Sequence, residues 1–312
     1  MRVGVSVPAD DQEVLERIFV RVEDLKGQVV ATQPLPGGLT NRNYRVDTRD
    51  GSFVVRVSPR PAGGLPIDRD HEHRNSVIAA STGVGAPVVA YLPDELTMVI
   101  GFIDGVTFTD ASFADDRHVE RVAVACRRLH DGPRFVNDFD MFDVQASYLD
   151  LVRRHGYRLP ADYCDHLDAV ARIRGALTRR FEGVVACHND LLAGNFIDDG
   201  RDVRLIDYEY AGNNDPCFEL GNIWSECHLT LEQLSGLVTA YYGRHRVSRL
   251  ARARLLGLMS QYGWTLWASI QEATSHIEFD YWEWGMEKYE RAVATFRGPD
   301  LDGLIEQAQE DD

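Results

Sequence analysis

A chain of 312 residues, 44% hydrophobic and 26% charged, is long enough for one large domain or two lobes with real cores. No run of about eighteen apolar residues occurs, which excludes a transmembrane helix, and no apolar leader precedes the early acidic residues, so no secretory signal is expected. A net charge of −16 argues against nucleic acid and suits either a cationic partner or a plainly solvated surface.

Apolar spacing predicts a helix over residues 10–25. The turn-rich "PLPGGLTNRNYRV" (34–46) leads through a glycine pair into an alternating segment. "SFVVRV" (52–57) reads as a strand entered by a hairpin turn, and residues 58–66 as a loop. A helix follows over 67–82, closed by Gly83, and then "PVVAYL" and "TMVIGFI" form strands joined by the turn "PDE". After Gly105 helices dominate, at 117–130, 143–154, 161–181, 231–243, 249–275 and 280–296, with a frayed acidic tail after residue 301. Two short strands, "VVACH" (184–188) and "VRLIDY" (203–208), interrupt them. The pattern predicts an α+β fold with a small sheet lobe over residues 1–104 and a larger helical lobe over 105–312.

Five cysteines, Cys126, Cys164, Cys187, Cys217 and Cys227, are odd in number and form no C-x-x-C pair. Disulfide and zinc scaffolds are therefore disfavoured, and a cytoplasmic setting is expected. The only lysines are Lys26 and Lys288, so a role that normally takes lysine falls to one of them or to arginine.

The short strands carry polar groups in a definite order: His188, Asp190, then Asn195, then Asp207 at the end of the second strand. Singly, Asp190 and Asn195 are ordinary turn residues. As an ordered set they match the needs of phosphoryl transfer, in which one carboxylate takes the nucleophile's proton while an amide oxygen and a second carboxylate hold Mg²⁺. His188 is expected to brace this catalytic loop, since Asp190 already fills the base role. In the sheet lobe, backbone amides around Gly38 and Asn41 and the Thr40 hydroxyl suit a phosphate. Arg56 points either at solvent or, paired with Glu72 of the next helix, at nucleotide phosphates.

Taken together, "GGLTNRNYRV", "VVRV", "HNDLLAGNFI" and "LIDYEYAGNNDPCFELGN" resemble the choline/ethanolamine kinase branch of the aminoglycoside phosphotransferase-like kinases, over residues 35–296. The resemblance implies a two-lobed protein-kinase-like fold, ATP and Mg²⁺ as cofactors, Asp190 as base, and Asn195 and Asp207 as metal ligands. Arg56 with Glu72 would anchor phosphates, and Gly101, Phe102 and Ile103 would offer backbone groups to adenine. Glu209 would join the metal site, or equally be a solvent-facing strand carboxylate. Leu191 and Leu192, after the aspartate, match bacterial rather than eukaryotic members.

Trp264 and Trp267 share a helix face, as do Tyr281 and Trp284 on the next helix. Such stripes commonly pack a core, but an aromatic cage is also how a quaternary ammonium is held. By the same resemblance Glu226 would add a carboxylate near the ammonium. The expected substrate is a small cationic amino alcohol, choline ahead of ethanolamine, with an aminoglycoside kinase or a silent kinase-like binding module as alternatives. No membrane insertion is expected, and the chain is expected to act as a monomer or homodimer.

Overall fold

The computed structural model describes residue 7 and residues 9–59, 65, 67–179 and 183–312. Parts of the loop expected at 58–66 and of the helix expected at 161–181 lie outside the described residues.

Helix α1 (Ala9–Arg21) lies on an antiparallel sheet of β1 (Val29–Leu35), β2 (Arg42–Thr48), β3 (Ser52–Val57), β4 (Val88–Leu92) and β5 (Thr97–Gly101), in the order β1-β2-β3-β5-β4. Strand alternation puts Tyr44, Val46, Val55 and Val57 against Leu15 and Ile18 of α1 and Val22 just after it. By the same alternation Arg56, between Val55 and Val57, faces the opposite side of the sheet. There it meets α2 (Arg69–Ser81), whose first turn is capped by the Asp68 side chain accepting from the amides of Asp70 and His71. The turn "PDE" is a single tight helical turn, Pro93–Glu95, with Leu96 left-handed behind it.

The rest of the chain is mainly helical. Strand β6 (Val106–Thr107) leads into α3 (Asp116–His130), α4 (Met141–His155) and α5 (Leu167–Arg179). Four short strands follow, β7 (Val185–Cys187), β8 (Phe196–Asp198), β9 (Val203–Leu205) and β10 (Gly212–Asn214). The two strands expected from sequence do not pair with each other. Strand β7 pairs with β10, while β9 pairs with β8, which in turn pairs with β6.

Five further helices complete the fold: α6 (Pro216–Glu226), α7 (Leu231–Tyr242), α8 (Val247–Thr274), α9 (Tyr281–Arg297) and α10 (Asp300–Gln307). The tail expected to fray is thus helical from Asp300, because Leu301 and Leu304 bury themselves in the core. Helix α8 is buried on all sides over most of its length. It crosses α6 backbone to backbone: a Cβ on Gly221 would stand 2.1 Å from the Ala253 carbonyl oxygen. That closeness brings Asn222 Nδ2 within 3.0 Å of Ser260 Oγ and leaves Asn222 Oδ1 to accept the Leu191 amide at 2.7 Å. The crossing therefore reaches the loop that carries Asp190. Among the described residues no helix is long and apolar enough to cross a membrane.

Candidate active site

The loop after β7 is held from below by one carboxylate. Glu219 of α6 is fully buried and accepts the backbone amides of His188 and Asn189, each at 2.8 Å. His130 Nε2 stands 3.3 Å from the same carboxylate, and His130 Nδ1 contacts the Tyr241 hydroxyl at 2.7 Å. Burial alone would raise the Glu219 carboxyl, but the hydrogen bond and charge of His130 hold it below the ordinary value. The Asn189 side chain ties the loop sideways to the carbonyls of Cys187, Tyr210 and Gly212. Asn189 itself is left-handed, with φ 69°, a conformation that asparagine tolerates better than most residues.

His188 is spent on structure. Its Nδ1 accepts the Asp190 amide at 3.3 Å, which leaves Nε2 as the N–H that donates to the Ile206 carbonyl at 2.7 Å. Burial also pulls its pKa below the ordinary value, favouring the neutral ring. Both nitrogens face backbone, so the ring braces the loop and links it to the end of β9.

Asn195 Nδ2 donates to the Asp190 carbonyl at 2.8 Å, and the Ile206 amide donates to the Asn195 carbonyl at 3.1 Å. These bonds draw Asp190, Asn195 and Asp207 together, with Asp207 in a left-handed conformation of φ 75°. Since Asn195 spends its NH₂ on the loop, its amide oxygen remains as the acceptor. The Asn195 amide oxygen with the carboxylates of Asp207 and Glu209 would make an all-oxygen donor set, the kind that fits a hard divalent cation such as Mg²⁺.

Across the cleft, Arg56 is only 5% exposed and does not point at solvent. Its Nε lies 3.0 Å from Glu72 Oε1, aligned as an ion pair rather than a hydrogen bond. Its Nη2 donates to Asp207 and lies 3.3 Å from Glu209 Oε2. Burial opposes the charge on Arg56, yet Asp207, Glu72 and Glu209 together raise its pKa, so it stays cationic. Glu209 is buried rather than solvent-facing, and accepts from Asn41 Nδ2 at 2.9 Å and Arg69 Nη1 at 3.1 Å. Burial and the charge of Asp207 raise its carboxyl, whereas Arg56 carries that of Asp207 downward against burial.

Two guanidinium groups thus face three carboxylates in the cleft. Arg69, which bonds Glu72 Oε2 at 2.6 Å, is a member that sequence reasoning missed. Asn41 Oδ1 is buried there without a hydrogen-bond partner, as expected of a site completed by a polar ligand.

Around the glycine pair, Gly37 has φ 99° and a Cβ on Gly38 would stand 2.3 Å from the Asn41 carbonyl oxygen. Both positions therefore require glycine for the turn itself. Thr40 and Arg69 line a cavity of about 570 Å³ between this turn and the end of α8. A narrower cavity behind Arg56 and Asp207 has apolar walls from Met98, Ile100, Leu205 and Ile206. Of the residues expected to meet adenine, Gly101 and Phe102 have already given their amides to the Pro87 and Ser52 carbonyls, at 2.8 and 3.0 Å. Their N–H groups cannot also serve a base, which leaves the carbonyls and Ile103.

The aromatic residues form one chain of contacts. Trp264 packs against Tyr210 (4.9 Å between ring centroids) and Phe139 (6.5 Å). Trp267 Nε1 donates to the Tyr210 hydroxyl at 2.8 Å, and its ring lies 5.7 Å from Tyr281 and 5.3 Å from Trp284. Tyr210, three residues past Asp207, joins this cluster to the loop after β7 through its carbonyl, which accepts from Asn189 Nδ2 at 3.0 Å, and was not singled out from sequence. The Tyr281 hydroxyl and Gln271 Nε2 both approach the Leu39 carbonyl, at 3.3 and 3.4 Å, so the glycine turn rests on the aromatic cluster. Burial, Glu226, Asp207 and Glu209 push the Asp190 carboxyl well above the ordinary range, opposed by Lys288. Glu226 therefore stands within electrostatic reach of Asp190.

Residues 31–255 match the phosphotransferase enzyme family. Ethanolamine kinase 2 of Rattus norvegicus is 32% identical, covering 91% of this chain and 82% of its own. A choline/ethanolamine kinase family protein of Mesorhizobium loti superposes with a TM-score of 0.84 at 28% identity, over 96% of this chain and 99% of its own. The choline kinase LicA of Streptococcus pneumoniae shares the fold, with a TM-score of 0.78 at 21% identity over 92% of this chain and 99% of its own. With a family match over most of its length and a relative above the range of chance likeness, the chain belongs to the phosphotransferase enzyme family, in its choline/ethanolamine kinase-like branch.

Proposed function

We propose that the protein transfers the γ-phosphoryl group of ATP to the hydroxyl of a small cationic amino alcohol, choline ahead of ethanolamine. One observation carries the reading: the Asp190, Asn195 and Asp207 cluster adjoins both a buried Arg56–Glu72 pair and, through Tyr210, the aromatic group of Trp267, Tyr281 and Trp284. A triphosphate and an aromatic-bound cation would thus lie on two sides of one carboxylate.

In this mechanism Asp190 orients the alcohol and accepts its proton as the new O–P bond forms and the bond to the β-phosphate oxygen breaks, leaving ADP. Arg56 exchanges its contacts with Asp207 and Glu209 for the phosphates, while its ion pair with Glu72 keeps its orientation. Asn195 and Asp207, with Glu209 beside them, would hold Mg²⁺, which when bound supplies charge neutralisation across the phosphates. The aromatic faces hold the ammonium without needing an N–H from it.

Phosphorus NMR of the purified protein with Mg-ATP and choline, ethanolamine, thiamine or an aminoglycoside tests the proposal. The expected result is a new phosphomonoester signal with choline and a weaker one with ethanolamine. A signal with the aminoglycoside alone, or with none of the four, would overturn it.

A further inference from the structure

One cation already occupies the region assigned to the alcohol. Lys288 of α9 is 4% exposed, its Nζ lies 2.6 Å from Glu226 Oε2, and it stands 4.1 Å over the centroid of the Trp284 ring. An ammonium set on a carboxylate and against an indole face is the recognition that a substrate ammonium would use. Here the chain supplies it from one of its two lysines. Trp284 also borders Trp267, 5.3 Å away, so the face taken by Lys288 belongs to the same aromatic group as Trp267.

This changes what the pocket offers. The second Glu226 oxygen has Ser225 Oγ at 3.3 Å, and the first is held by Lys288. A primary ammonium brings three N–H donors that need acceptors, whereas a trimethylated ammonium brings none and is satisfied by aromatic faces. A buried donor left unpaired is costly, so a carboxylate already engaged discriminates against the primary amine.

Resting on the function proposed above, we propose that Lys288 is a specificity-determining residue. By holding Glu226 and covering Trp284, it withholds the acceptor that a primary ammonium requires and leaves Trp267 and Tyr281 to a methylated one. Removing its charge turns Glu226 into a buried, unpaired anion. A primary ammonium then gains a partner that the native pocket denies it.

The test reads binding apart from catalysis, by quenching of tryptophan fluorescence with tetramethylammonium and with methylammonium. The wild type is expected to bind tetramethylammonium more tightly. In Lys288→Met, which keeps the apolar contact with Trp284, the affinity ratio should move at least tenfold toward methylammonium. Lys288→Arg should stay within threefold of the wild type, and the double variant Glu226→Gln/Lys288→Met should return to the wild-type preference. If Lys288→Met does not fold, Lys288→Gln should show the same direction with a smaller shift. An unmoved ratio, with both affinities falling together, overturns the inference and makes Lys288 a packing residue. Absence of phosphoryl transfer to any amino alcohol by the wild type would instead sink the parent reading, and the ammonium ratio is measured independently of it.

Discussion

Glu219→Gln isolates the device that holds the loop of His188, Asn189 and Asp190. The native carboxylate takes two backbone amides at 2.8 Å from adjacent residues, His188 and Asn189, in a fully buried position. Glutamine keeps the shape but turns one acceptor oxygen into a donor, so one of those amides faces another N–H. A lost charge-assisted bond costs about 1.5–3 kcal/mol and an orphaned buried amide about 1–3 kcal/mol. Together they remove about 2.5–6 kcal/mol from a total that is typically about 5–15 kcal/mol. Asp190 is the next residue along the loop, and a misplacement of about 1 Å at a catalytic group costs on the order of a hundredfold in rate.

Urea unfolding and steady-state kinetics at a temperature where the variant is folded should show both losses, with KM for ATP within about twofold of the wild type. The pH dependence adds a sign. The folded Glu219 carboxyl lies below its unfolded value because His130 outweighs burial. Its contribution is therefore present above the unfolded pKa of about 4.3 and is lost as pH falls through the lower folded value. Glu219→Gln should lack that acid-side loss. A variant within about 0.5 kcal/mol of wild-type stability and with unchanged kcat would refute the anchoring role.

Arg56→Lys exchanges a fork that spans Glu72 and Asp207 for a point charge that reaches one side, so KM for ATP should rise about tenfold or more, the equivalent of one charge-assisted bond. An unchanged KM in initial-rate assays would remove Arg56 from the phosphate site. Trp267→Leu should raise KM for the amino alcohol about tenfold, within the range of a desolvated cation–π contact, with KM for ATP unmoved. Trp264→Ala, emptied between Tyr210 and Phe139, should instead cost about 3–5 kcal/mol of stability, read by urea unfolding. Equal loss of stability in both variants, with equal effects on both KM values, would erase the distinction between cage and core.

What was legible in the sequence was local. "SFVVRV" is β3 to the residue because alternation and a hairpin turn bound it. The grouping of Asp190, Asn195 and Asp207, though not their roles, followed from their short spacing along the chain, and backbone bonds through Asn195 and Ile206 draw them together. Helix α6 was missed since nearly all its residues are buried, so no face alternates with a solvated one and no period appears. The acidic tail hid α10, whose helix depends on Leu301 and Leu304 finding the core.

The unread part of the site is made of partners far apart in the chain. Arg69 reaches Glu209 across 140 positions, and His130 meets Glu219 across 89. Lys288 meets Glu226 across 62. Each is an ordinary polar residue on its own helix, and only the folded packing gives it a role. Trp264 and Trp267 share Tyr210, yet Trp264 adds Phe139 where Trp267 adds Tyr281 and Trp284, because positions three apart on a helix share a face but not every contact along it.

The central claim is that Asp190 activates an amino-alcohol hydroxyl for transfer from ATP, and a single-turnover measurement with γ-labelled Mg-ATP and choline tests it most directly. The account predicts label in a choline phosphomonoester for the wild type, and at least a hundredfold slower transfer in Asp190→Asn with ATP affinity preserved. Label transferred at the same rate by both proteins would contradict it.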